Sequence, residues 1–165
     1  MFITEGLLTA VDSENELAFV IAHELGHLQN KDPLTAMGRS LVWLTISGLL
    51  GIGQQGNSVV PSAFNVAELN YSREQETAAD DYAIALITQR YAHGGHSLDF
   101  FKRAQQEELD LGALNQVAEW QHTHPLSSKR IERIETALTD DGWALTGEAT
   151  LLPNNIACPN FTCDL

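Results

Sequence analysis

A chain of 165 residues, 44% hydrophobic and 19% charged, is sized and composed for one globular domain whose core can close without disulfide staples. Its 22 acidic residues against 9 basic ones leave a net charge of −13, which argues against a nucleic-acid backbone or an anionic membrane surface as partner. The opening Met1-Phe2-Ile3-Thr4-Glu5 has neither the basic region nor the apolar stretch of a signal peptide, and it runs straight into an apparent strand, so the front of a longer protein is expected to be missing.

Residues 2–11 (FITEGLLTAV) read as a β-strand kinked or bulged at Gly6. Residues 13–30 read as a helix. Ser13 with Glu16 forms a capping box, and Leu17, Val20, Ile21, Leu25 and Leu28 recur at helical spacing. Asp32-Pro33 ends this helix near Lys31. Residues 33–50 follow as a second helix with Pro33 in its first turn. The run at 41–52 (LVWLTISGLLGI) is the most apolar in the chain but falls short of the roughly 20 residues a bilayer span needs. A buried helix is the better reading there, and a shallow interfacial contact the lesser one. Residues 51–58 form a glycine-rich loop, and 61–69 are helical or irregular. Residues 72–91 are a helix capped by Ser72 with Gln75 and stopped by His93-Gly94-Gly95. Another helix spans 97–110, capped by Ser97, with Leu98, Phe101, Ala104 and Leu109 facing inward. After a short helix or turn at 113–120, the last helix covers 127–138 with Ile131, Ile134 and Leu138 on one face. Residues 140–165 read as an irregular tail. Cys158 and Cys163 within it are either a small disulfide loop or two free thiols.

The chemistry concentrates in His23-Glu24-Leu25-Gly26-His27. On a helix His23 and His27 stand one above the other on one face, where two imidazoles can reach one divalent metal at about 2.0–2.1 Å. Glu24 is turned about 100° around the axis from His23, so it can reach a water that the metal activates rather than the metal itself. This H-E-x-x-H pattern supplies two zinc ligands and a general base. The plainer reading, polar residues on a solvated face, is disfavoured by the apolar neighbours Ile21, Ala22, Leu25 and Leu28. A catalytic zinc asks for a third protein ligand. Glu76 and Asp80, four apart on the 72–91 helix, are the best candidates: Glu76 for the metal, and Asp80 to accept the spare N–H of a ligating histidine, His23 first. Thr77, Ala78 and Ala79 are short enough to let two helices approach over the site, whereas Glu74 and Asp81 read as a solvated acidic face.

With H-E-L-G-H, then S-R-x-x-E-x-x-A-D, then H-P ahead of a last helix, the chain resembles the M48 family of zinc metallopeptidases over about residues 3–138. This is a gluzincin-type group with membrane-embedded and periplasmic members. The resemblance implies an α+β, predominantly helical zincin-like domain. A short N-terminal strand or small sheet would lie beside the active-site helix, and a second helix would supply the third metal ligand. It implies one Zn2+ held by His23, His27 and Glu76, with Glu24 as catalytic base and Asp80 supporting a ligand. It implies an endopeptidase acting on protein or peptide substrates, with catalytic residues in 1–139 and a tail at 140–165. The strand at 2–11 would edge the cleft and pair with extended substrate. An extracytoplasmic location, periplasmic or membrane-associated, follows from the resemblance alone, and any membrane association would fall to the missing N-terminal part. Two departures stand out: the family's longer N-terminal part and the transmembrane segments of its membrane-embedded members are not evident.

His124 sits on a loop pinned by Pro125, in the position of the family's H-P motif. It has two candidate roles. It could hydrogen-bond the oxyanion of the reaction, a contribution often worth about 2.7–4 kcal/mol. It could instead fill the open metal position, making the domain a latent or non-catalytic, zinc-stabilised chaperone-like or partner-binding module. His122, which lacks the following proline, is the weaker candidate. Arg73 and Arg130 are the basic residues nearest the motifs. Both read as ion pairs in the site scaffold, and contact with a substrate carbonyl is open to Arg130. His93 and His96 are explained by the favourable C-terminus of the preceding helix.

Overall fold

A computed structural model describes residues 3, 5–35, 38, 71–109 and 124–153. The expectations at 41–52, 51–58, 61–69 and 113–120, at His122, and at Cys158 and Cys163 lie outside these residues, as does most of the 33–50 helix; residues 32–35 form a helical turn. Among the described residues the elements are α1 (Glu5–Ala10), α2 (Glu14–Gln29), α3 (Arg73–Tyr91), α4 (Asp99–Leu109) and α5 (Ser128–Asp140). None of these helices is long and apolar enough to cross a membrane.

The N-terminal strand is corrected. Glu5–Ala10 is helical, with Gly6 inside the helix and the Thr9 hydroxyl donating to the Gly6 carbonyl at 3.0 Å. A strand needs a partner for its backbone N–H and C=O groups, and no strand is present among the described residues. Helix formation satisfies those groups locally while Leu7, Leu8 and Ala10 still pack on the core. The same correction removes the strand edge along which extended substrate was expected to pair. Where described, the domain is helical rather than α+β.

Ser13 caps α2, its Oγ accepting the Glu16 N–H at 3.2 Å. Glu16 does not return that bond to Ser13. Its buried carboxylate accepts the Asp12 N–H at 2.9 Å and two guanidinium bonds from Arg103 at 2.9 and 2.8 Å, while Arg103 also donates to the Ala10 carbonyl. The acid expected to complete a capping box therefore ties the α1–α2 turn to α4. In α3 both halves of the capping box are made: Ser72 Oγ accepts from Gln75 N, and Gln75 Oε1 accepts from Ser72 N. That helix ends at Tyr91, the expected end, with Ala92 as its C-cap in the left-handed region at φ 60° just ahead of His93-Gly94-Gly95. Ser97 does not cap α4, which starts at Asp99 after a turn with His96 at φ 63°; Ser97 Oγ is buried without a hydrogen-bond partner.

Helices α2 and α3 lie so close that a Cβ on Gly26 would stand 2.8 Å from Ala79 Cα. This contact brings the two motif-bearing helices together. Below it, Phe19 meets Phe101 edge-to-face, ring centroids 5.2 Å apart, and Val20, Ala83, Ile84, Ile87, Leu98, Phe100, Ile131, Ile134 and Leu138 complete the core. Phe100 joins Leu98, Phe101 and Ala104 as a buried residue of the α4 region. After α5, residues 141–153 form no helix or strand but lie back on the domain. Gly94 N donates to Ala144 O at 2.8 Å, Glu14 N to Thr150 O at 2.8 Å, and Thr150 N to Asn15 Oδ1 at 2.9 Å.

Candidate metal centre

The face of α2 that carries His23 and His27 turns inward, and both imidazoles are buried, at 0% and 1% exposure. One turn into α3, Glu76 reaches the same point. His124 arrives from the loop before α5, and one ligand atom from each of His23, His27, Glu76 and His124 lies within 4.8 Å of the others. The two Nε2 atoms of His23 and His27 are 3.1 Å apart. Glu76 carboxylate oxygens stand 3.5 Å from His23 Nε2 and 3.3 Å from His27 Nε2.

The far nitrogens fix the chemistry of the near ones. His23 Nδ1 is 3.0 Å from Asp80 Oδ1, and His27 Nδ1 is 2.8 Å from Asp32 Oδ2. A ring nitrogen facing a carboxylate donates its N–H, so in the neutral imidazole the Nε2 presents a lone pair. In that tautomer two lone pairs and a carboxylate converge, an arrangement that a proton on a ring nitrogen or a bound cation relieves. Glu76 Oε2 is buried without a hydrogen bond, although Arg130 lies against it as an ion pair. A cation between these atoms resolves the conflict, and two imidazoles with one carboxylate are a donor set suited to zinc.

The ionisation of the site reflects the same demand for positive charge. Burial alone raises the Glu76 pKa, but hydrogen bonds from His124, His23 and His27 and the charge of Arg130 outweigh it and hold the carboxyl far below its usual range. Burial lowers His23, yet bonds to Asp80 and Glu76 and the Asp80 charge leave its pKa above the ordinary value. Asp80, wholly buried, is likewise pushed up by burial but more than offset by His23 and Arg130, so its pKa is lowered. Arg130 forks onto Asp80 through Nε at 2.9 Å and Nη2 at 2.7 Å, and Arg133 adds a third guanidinium bond at 3.0 Å.

Of the residues singled out in the sequence, the structure brings together His23, His27, Glu76, Asp80, His124 and Arg130. Glu24 is adjacent: its Oε1 is 3.3 Å from His124 Nε2, and its side chain is 30% exposed. Arg73 is not brought in; it is exposed on the first turn of α3. Two neighbours were not foreseen. In the sequence Asp32 reads only as a helix stop before proline, yet Lys31 at φ 59° reverses the chain and returns the Asp32 carboxylate to His27. Tyr71, just ahead of the α3 cap, stacks on the His27 ring with centroids 3.9 Å apart and planes 16° from parallel. Burial, then the Glu24, Asp32 and Glu76 charges, push its phenol up to about 12. An aromatic residue directly before a capping serine was the available signal for it.

The family model of peptidase family M48 matches residues 1–138. Metalloprotease LoiP of Escherichia coli is 30% identical over 144 residues, covering 79% of this chain and 52% of that protein. Mitochondrial metalloendopeptidase OMA1 of Schizosaccharomyces pombe is 29% identical over 145 residues, 85% of this chain and 41% of the relative. A protease HtpX homolog of Salinibacter ruber is 25% identical over 160 residues, 81% of this chain and 58% of the relative. The chain thus spans about half the length of the curated relatives it matches. No solved structure matches it.

Proposed function

Because the chain belongs to peptidase family M48, we propose that it is a zinc-dependent endopeptidase acting on protein or peptide substrates, with residues 1–139 as its catalytic domain and 140–165 as a tail. The observation that carries this reading is the burial and convergence of His23 Nε2, His27 Nε2 and the Glu76 carboxylate, 3.1–3.5 Å apart. These three residues hold the metal. A zinc ion bound there supplies a Lewis acid, bringing a water's pKa down towards about 7 and polarising a peptide carbonyl.

The protein's own residues do the rest. Glu24 takes a proton from the attacking water and later delivers it to the leaving amine. Asp80 accepts the His23 N–H, fixing the tautomer that leaves Nε2 free for the metal, and Arg130 holds Asp80 in that orientation. His124, 3.3 Å from Glu24, donates to the oxyanion that develops on the substrate carbonyl oxygen. The same reading has the protein act outside the cytoplasm, in the periplasm or at a membrane; cell fractionation tests that part.

Casein digestion by the purified chain, with and without chelator, tests the activity. Wild-type protein is expected to cleave only when metal-loaded. Glu24→Gln is expected to retain zinc and lose cleavage, whereas cleavage by that variant at the wild-type rate would remove Glu24 from its role.

A second reading is favoured by one observation: His124 Nδ1 belongs to the same group of four ligand atoms and is 3.0 Å from Glu76 Oε1. As a fourth donor, His124 would close the coordination sphere and make the domain latent or a zinc-stabilised binding module. His124→Ala separates the two readings.

A further inference from the structure

The two carboxylates behind the histidine pair are held in different ways. Asp80 receives guanidinium bonds from Arg130 and Arg133. Asp32, 5% exposed, has no Lys or Arg ion pair among the described residues. Its Oδ2 faces His27 Nδ1 at 2.8 Å, and its Oδ1 accepts a single amide bond, from Gln75 Nε2 at 2.8 Å. The other end of that amide is committed to the α3 cap, where Gln75 Oε1 accepts the Ser72 N–H at 2.9 Å. An amide oxygen only accepts and its nitrogen only donates, so both bonds require the same orientation of the Gln75 side chain. Glu76 is the next residue along the chain.

We propose that Gln75 is a positioning residue for the metal centre: by gripping Asp32 from the capped first turn of α3, it fixes the ring of His27 and locks it in register with Glu76. The inference rests on the zinc reading above. The cap and the His27–Asp32 pair are then one hydrogen-bonded unit spanning two helices, and Tyr71 stacked on the face of the His27 ring adds to the restraint. A Gln75 that served only as a cap would stabilise α3 and leave the metal unaffected.

The test measures the zinc dissociation constant by competition with a chelating dye, and the visible spectrum of the Co2+-loaded protein, in wild type, Gln75→Met, Ser72→Ala, Asp32→Asn and the Gln75→Met/Asp32→Asn double variant. Methionine is close in size, tolerated in helices, and has no N–H to donate. Asp32→Asn is expected to weaken zinc binding about 10- to 100-fold. Gln75→Met should weaken it about three- to tenfold and shift the Co2+ bands, the fraction of one hydrogen bond passed on through Asp32. Ser72→Ala should lower the melting temperature while leaving the zinc constant within about twofold. In the Asp32→Asn background, Gln75→Met should have no further effect on zinc. If Gln75→Met binds zinc and colours with Co2+ as wild type does, the positioning role is overturned and the zinc reading stands. If wild type itself binds no zinc, both fall. Should Gln75→Met not fold by circular dichroism, Gln75→Glu keeps the acceptor for Ser72 N–H without the donor, and a wild-type zinc constant in that variant overturns the proposal equally.

Discussion

Replacing Gly26 by alanine sets two effects of opposite sign against each other. Helix propensity alone favours alanine over glycine in a helix interior by about 1 kcal/mol. Against it stands the contact with α3: the new Cβ would lie 2.8 Å from Ala79 Cα, 3.0 Å from Ala79 O and 3.2 Å from Ala79 Cβ. Carbon atoms pack at about 3.5–4.0 Å, so the helices must part locally by about 0.7 Å. The obstructing atoms are mostly backbone and cannot rotate aside. Overpacking of this kind costs about 1–3 kcal/mol, which equals or exceeds the propensity gain, so the metal-free protein should melt no higher than wild type and up to several degrees lower. The larger effect falls on the metal. Ala79 is one turn from Glu76, whereas metal–ligand distances tolerate only about ±0.2 Å, so zinc affinity should drop more than tenfold. Thermal denaturation with and without zinc, together with chelator competition, reads both effects. A Gly26→Ala protein that melts above wild type and binds zinc equally would show that the helix contact does not set the site.

Arg103→Met leaves the Glu16 carboxylate buried without its cation; with Arg103 38% exposed, solvent softens the loss to about 2 kcal/mol, to be read from urea denaturation. Tyr91, which donates to Glu14 at 2.8 Å, has its phenol pushed up to about 12 by burial and then by Glu14. The raised value means that its contribution is complete below the unfolded pKa near 10 and is lost as pH rises towards 12. The stability gap between wild type and Tyr91→Phe should therefore be constant from pH 7 to 9 and close above pH 10. For His124→Ala the expected result is a fall in kcat of about 10²-fold or more with zinc affinity unchanged, as for removal of an oxyanion donor. Faster cleavage with weaker zinc binding would instead identify His124 as the latch.

What the sequence revealed follows from how local each feature is. His23 with His27, and Glu76 with Asp80, are i, i+4 pairs on helices whose caps and apolar periodicity are plain, so their shared faces could be read without knowing the packing. The short residues at 77–79 announced a close helix approach, and Gly26 against Ala79 is where it occurs. The N-terminal segment misled because a β-rich composition says nothing about whether a partner strand exists; leucines and alanine serve a short helix equally well. The role of Asp32 is not legible locally because it depends on a reversal at Lys31, a residue type that does not advertise positive φ. Glu16 satisfied the sequence pattern of a capping box, yet a guanidinium 87 residues away claimed its carboxylate. Charge pairing at that separation has no local signature.

His23, His27 and Glu76 are expected to close around one zinc ion. Diffraction data from crystals of the zinc-loaded protein, collected on both sides of the zinc absorption edge, test it most directly. One anomalous peak is expected within about 2.0–2.2 Å of His23 Nε2, His27 Nε2 and a Glu76 oxygen. A zinc peak bound elsewhere, or one whose coordination leaves out Glu76, would contradict it.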